Sequence, residues 1–115
     1  MSVTVYGIRN CDTMKKARAW LDANGIGYAF HDYKADGIDA ARLERWIAAV
    51  GWEKLLNRAG TTFRKLPDAD KQGIDADKAV ALMVAQPSII KRPVVEHPGG
   101  ILVGFSPTAF GQALL

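Results

Sequence analysis

The chain has 115 residues, 49% hydrophobic and 23% charged, the balance of one soluble globular domain spanning 1–115 rather than of a disordered or fibrous chain. Its longest apolar run, Ala79 to Ala85, falls far short of the roughly 20 residues that cross a bilayer, and the amino end has no basic start leading into an apolar run, so a cytoplasmic protein without membrane contact is expected. The net charge of +3, from 15 basic and 12 acidic residues, is too small to imply nucleic-acid binding.

Val3, Thr4, Val5 and Tyr6 form a β-branched and aromatic run ending at Gly7, which predicts a first strand entering a loop that holds Cys11. Asp12 and Thr13 are helix-capping residue types. Met14, Ala17, Trp20 and Leu21 then recur at helical spacing until Gly25, so Cys11 lies at a helix N-terminus. Tyr28 to Tyr33 predicts a second strand, parallel to the first across a βαβ unit. Asp39 caps a helix with Leu43, Trp46, Ile47 and Val50 on one face, closed by Gly51, and Trp52, Leu55 and Leu56 continue as a short helical turn.

Arg58 to Gly73 is polar and breaker-rich, and predicts a mobile surface loop. Asp75 or Asp77 caps the next helix, with Ala79, Leu82, Met83 and Gln86 on one face and Pro87 as its stop. Val94–Glu96 and Ile101–Val103 form a hairpin about His97, Pro98, Gly99 and Gly100, where Pro before Gly suits a type II turn. Ser106 and Pro107 open a last helix carrying Phe110, Ala113 and Leu114. A βαβ unit, a helical insertion, an antiparallel hairpin and a closing helix make an α/β chain of thioredoxin-like layout with a mixed sheet. Trp20, Trp46 and Phe110 lie on apolar helical faces and read as core.

Cys11 is the single cysteine, which excludes an intrachain disulfide and a cysteine-rich zinc cage. His31 and His97 are far apart with no clustered carboxylate, so no metal is expected and both histidines stay outside the site. Between Arg9 and Arg18, the basic residues Arg9, Lys15, Lys16 and Arg18 face only Asp12, a local excess equal to the whole chain's +3. A thiol of pKa about 8.5 is only a few per cent ionised at neutral pH. The helix dipole, the free N–H groups of the first turn and these cations all favour the thiolate, and a drop of about two units needs only about 2.7 kcal/mol. A phosphatase loop needs arginine where Ala17 stands, and a dithiol motif needs a second cysteine where Met14 stands. Cys11 is therefore expected to act as a monothiol resolved by an external thiol.

Gly7-Ile8-Arg9-Asn10-Cys11-Asp12-Thr13-Met14-Lys15-Lys16-Ala17 and Ile90-Lys91-Arg92-Pro93-Val94-Val95 together resemble the ArsC-type arsenate reductase family, and the Asn-Cys-Asp-Thr context is most similar to its YffB branch. The resemblance covers the chain from Val3 to the last helix. It implies a thioredoxin-like fold in which nucleophilic Cys11 attacks an oxyanion or disulfide substrate and glutathione, a co-substrate rather than a bound cofactor, resolves the intermediate, with glutaredoxin as a further partner. By motif, Arg58 and Arg92 match two family arginines that hold the anion, a role suited to the paired charge-assisted bonds of a guanidinium. Arg9 and Lys15 add positive charge for glutathione or substrate, while Asn10 and Pro93 shape the site.

Two positions depart from the family pattern. Gly104 stands where arsenate reductases carry a third arginine, and Gly7 where they carry a histidine. Loss of one charge-assisted contact costs about 1.5–3 kcal/mol, so a glutathione-dependent thiol reductase is expected ahead of arsenate reduction proper. The Spx branch of the same family implies a third reading, a regulator that binds RNA polymerase; its second cysteine is replaced here by Met14.

Overall fold

A computed structural model describes residues 2–115. Two compact units form: one joins the segment up to Tyr33 with Arg92–Leu115, and the other is Lys34–Lys91. The first unit contains the whole sheet. Strand β1 (Thr4–Gly7) leads into helix α1 (Asp12–Ala23), and β2 (Ala29–Asp32) returns parallel to β1, with Thr4 opposite Ala29 and Gly7 opposite Asp32. Strands β3 (Val94–His97) and β4 (Gly100–Val103) form the antiparallel hairpin, and β3 also pairs antiparallel with β1, giving the order β2-β1-β3-β4. This mixed sheet with its helices is the thioredoxin-like arrangement expected from the sequence.

The period of the apolar residues explains which side is buried. Val3, Val5 and Val95 from one sheet face meet Met14, Ala17 and Leu21 of α1, together with Phe110 and Leu114 of the last helix. Each fully buried aliphatic side chain contributes about 1.5–3 kcal/mol relative to exposure. Trp20 stays partly buried and meets Phe110 edge to face, with ring centroids 5.5 Å apart.

The second unit opens with a single turn, α2 (Tyr33–Asp36), whose first residue ends the first unit. Helix α3 (Ala40–Val50) begins at Asp39, whose carboxylate accepts the Arg42 N–H at 2.7 Å, and it stops at Gly51, where φ is +87°. After α4 (Trp52–Leu55), the segment expected to be a loop contains two one-turn helices, α5 (Thr61–Arg64) and α6 (Asp68–Lys71). Phe63 is the reason the segment folds back: it is only 6% exposed and anchors an otherwise polar stretch. Lys78 adds a clasp, donating to the carbonyls of Ala69 and Gln72. Asp75, rather than Asp77, caps α7 (Ala76–Ala85) by accepting the Lys78 N–H, and a 3₁₀ turn at Pro87–Ile89 follows.

The hairpin turn differs from the expected type. A type II turn needs positive φ at Gly99, whereas the positive value falls at Gly100, at +144°. The strands extend to His97 and Gly100, which pair directly. The last helix, α8 (Pro107–Leu114), starts as expected, with Ser106 Oγ accepting the Ala109 N–H. Among the described residues, no helix is long and apolar enough to cross a membrane.

Candidate functional site

Strand β1 ends at Gly7, and a turn through Arg9 and Asn10 delivers Cys11 to the start of α1. Cys11 itself is the N-cap, with extended backbone angles (φ −110°, ψ 134°), so Asp12 and Thr13 lie inside the helix rather than capping it. The thiol stands at the capping position without making a side-chain capping hydrogen bond. Its backbone carbonyl accepts the Lys15 N–H at 3.0 Å, while its side chain is half-buried and free of any disulfide.

The proton affinity of this thiol is set by opposing effects. Burial is the largest, and it raises the pKa by penalising the anion; against it act the Met14 N–H, the Arg92 side chain, the Thr13 N–H and the positive charge of Arg92. The lowering effects prevail. The two N–H groups are unsatisfied donors of the first helical turn, and a thiolate at the N-cap is where they can reach it.

Arg92 therefore joins Cys11 from the far end of the sequence. The β1–β3 pairing accounts for this: Tyr6 stands opposite Val94, which places the residues before Val94 beside the end of β1. The Arg92–Pro93 peptide bond is cis, and the buried Pro93 accepts the Gly104 N–H through its carbonyl at 2.8 Å. Gly104 has φ +82°, a conformation that L side chains rarely adopt. The backbone at the position of the family's third arginine is thus built for glycine.

The other candidate residues are placed differently. Arg9 is exposed; its Nε lies 4.0 Å from Asp32, and its guanidinium lies 5.9 Å from the Phe30 ring centroid. Lys15 and Asn10 are exposed, Lys15 on α1 and Asn10 in the turn before it. Neither Arg9 nor Lys15 is among the groups acting on the Cys11 proton. Arg58 belongs to the second unit, where its guanidinium is 5.6 Å from the Trp52 ring centroid.

Sequence reasoning passed over Tyr33, read there as the end of a strand. It is 1% exposed, and its hydroxyl is buried without a hydrogen-bond partner among the described residues. Nothing in the local sequence signals this, because the hydroxyl's surroundings are assembled by β1 and β3. Tyr6, close by, donates its hydroxyl hydrogen to Glu96 at 2.6 Å and stacks on His31 with centroids 5.0 Å apart.

Comparison with known proteins agrees with the motifs. The ArsC family model matches residues 6–113. A solved YFFB protein is 59% identical, with a TM-score of 0.96, over 98% of this chain and 99% of that one. An arsenate reductase (ArsC) related protein from Brucella melitensis is 58% identical, with a TM-score of 0.78, over 98% of this chain and 94% of that one. An uncharacterized protein of Haemophilus influenzae is 39% identical over 111 residues, which is 96% of this chain and 97% of that protein.

Proposed function

The chain belongs to the ArsC family, and from that premise we propose that it is a glutathione-dependent thiol reductase in which Cys11 is the nucleophile. The observation that carries this reading is the single thiol at a helix N-cap, with Met14 N–H, Thr13 N–H and Arg92 all favouring its ionised form. A second cysteine at residue 14 would suggest internal disulfide chemistry. Met14 stands there instead and is fully buried.

In the proposed cycle, the Cys11 thiolate attacks one sulfur of a glutathione mixed disulfide. A Cys11–glutathione disulfide forms as the original S–S bond breaks, and the substrate leaves as a thiolate that takes a proton from solvent. A second glutathione thiolate then attacks the glutathione sulfur of the adduct, giving glutathione disulfide and restoring the Cys11 thiolate. Across the cycle one glutathione thiol is oxidised and the substrate sulfur is reduced to its thiol, while the glutathione sulfur of the original mixed disulfide stays at the disulfide level. The proton lost by the attacking glutathione balances the one taken up by the substrate thiolate. Arg92 holds the thiolate and the anionic part of the incoming molecule by charge-assisted hydrogen bonds. The roles given to Arg58, Arg9 and Lys15 in recognising glutathione carboxylates rest on family resemblance and charge, and single substitutions test each one. Glutaredoxin as a partner and a cytoplasmic setting belong to the same proposal.

The test is to incubate the protein with oxidised glutathione and determine the intact mass. A single glutathione adduct that disappears in Cys11→Ala is expected. No adduct, together with an ordinary thiol pKa, sinks the reading.

Arsenate reduction is the second reading, supported by the Brucella melitensis relative's description. The geometry at Gly104 speaks against it, since φ +82° disfavours an arginine and the N–H there is committed to Pro93. A coupled assay with arsenate, glutathione and glutaredoxin separates the two, with no turnover above background expected. The regulator reading draws on no feature of this site. Recovery of RNA polymerase from a lysate by both wild type and Cys11→Ala would favour it instead.

A further inference from the structure

Tyr33 directly follows β2, and the pairing of Asp32 with Gly7 sets the end of β2 beside the end of β1 from which the Cys11 turn departs. Ligands of α/β sheets collect at the carboxyl ends of parallel strands. Tyr33 is 1% exposed, and its hydroxyl, sealed from solvent, has no hydrogen-bond partner among the described residues. A buried hydroxyl without a partner is uncommon and destabilising, and one explanation for it is a ligand absent from the free protein.

The surroundings restrict what that ligand can be. The phenol lies within electrostatic reach of Arg92, Tyr6 and Glu96. Burial is the main reason its pKa rises; Tyr6 and Glu96 push the same way, and only Arg92 opposes them. Tyr33 therefore keeps its proton and is available as an O–H donor. Glu96 is engaged by the Tyr6 hydroxyl at 2.6 Å. A neutral O–H donor and a guanidinium within electrostatic reach of one another suit an anion, and the carboxylate also in reach, Glu96, is already occupied by the Tyr6 hydroxyl.

We infer that Tyr33 is a second donor to an oxyanion group held by Arg92 beside Cys11, its buried hydroxyl becoming hydrogen-bonded when that group binds. The inference rests on the reading that Arg92 receives an anion at this site. Because the hydroxyl is sealed in the free protein, the contact requires a side-chain shift on binding. Tyr33 is not among the groups acting on the Cys11 proton, so its contribution is to the ligand and not to the resting thiolate.

Tyr33→Phe removes only the oxygen. The probe is protection of Cys11 from iodoacetamide by arsenate, and separately by sulfate, with the half-protecting concentration measured for wild type and Tyr33→Phe. The expected result is a roughly tenfold higher half-protecting concentration in the variant. Its thermal midpoint should be equal or higher, because an unpaired buried hydroxyl has gone, and the pH at which Cys11 ionises should not change. Equal protection in both proteins overturns the inference while leaving the thiol-reductase reading intact. Absence of protection in wild type also overturns it, and the glutathione adduct measured on the same sample then reports independently on that reading. A midpoint that falls in Tyr33→Phe contradicts the claim that the hydroxyl is unpaired in the free protein.

Discussion

Gly7 and Met14 compete for the same volume: a β-carbon built on Gly7 would lie 2.7 Å from Met14 Cε and still closer to Met14 Sδ, and Met14 is fully buried. A side chain at residue 7 and the long thioether of residue 14 therefore exclude one another. The long thioether of residue 14 fills the space that a side chain at residue 7 would need, and it also packs into the core beneath α1.

This relationship is measurable by a double-mutant cycle. Gly7→Ala should destabilise the protein by about 1–3 kcal/mol through overpacking. In a Met14→Ala background the same change should cost much less, because the obstructing atoms are gone. Urea unfolding of the four proteins gives the coupling, and strict additivity would contradict the shared volume.

Gly104 makes a second case where one residue's backbone replaces another's side chain. Gly104→Arg restores the family's third guanidinium by residue type but forces an L residue to φ +82°. The expected loss of stability is roughly 1–2 kcal/mol, seen as a lower thermal midpoint. Arsenate turnover should not rise in that variant, and a gain in turnover at unchanged stability would show that the backbone at residue 104 is no obstacle.

Phe63 tests the segment between Arg58 and Gly73. As a 6% exposed anchor, its replacement by alanine should cost about 3–5 kcal/mol, whereas a residue in a mobile loop would cost almost nothing. Urea denaturation distinguishes the two, and increased amide exchange confined to residues 61–71 should accompany the loss.

Much of the architecture is legible because it is written in periodicity. Val3 and Val5 alternate, Met14, Ala17 and Leu21 recur at three and four, and Ser106-Pro107 marks a helix start. What is not legible lacks a repeating signal. A one-turn helix shows in the sequence only where its apolar residues continue a neighbour's spacing, as Trp52 and Leu55 do after α3; α5 and α6 have no such neighbour and pass as loop. Asp12 and Thr13 look like caps by residue type, yet the chain leaves its extended conformation one residue earlier, at Cys11. In the site, Cys11 and Arg92 are visible through their motifs. For the ionisation of Cys11 the cation that acts is Arg92, because helix geometry and the β1–β3 register, not proximity in sequence, bring it to the sulfur. Tyr33 was hidden for the same reason.

The depressed thiol pKa makes a signed prediction for stability. In the folded protein Cys11 loses its proton at a lower pH than in the unfolded chain, where the value is about 8.5. Between those two values the unfolded chain binds more protons, so stability rises with pH. The contribution is fully present above about pH 8.5 and is lost as pH falls through the folded value. The difference in urea midpoint between wild type and Cys11→Ala should therefore move in favour of wild type across that window and be flat below it. A difference moving the opposite way would mean that burial outweighs the N–H groups and Arg92.

The most direct test of the account is the Cys11 ionisation curve itself, followed by thiolate ultraviolet absorbance in wild type and Arg92→Ala, with Cys11→Ala as the blank. Wild type should titrate below the ordinary thiol value of about 8.5, and Arg92→Ala should titrate higher than wild type. An ordinary value in wild type, or the same midpoint in both proteins, would contradict the claim that Arg92 and the start of α1 hold Cys11 as a thiolate.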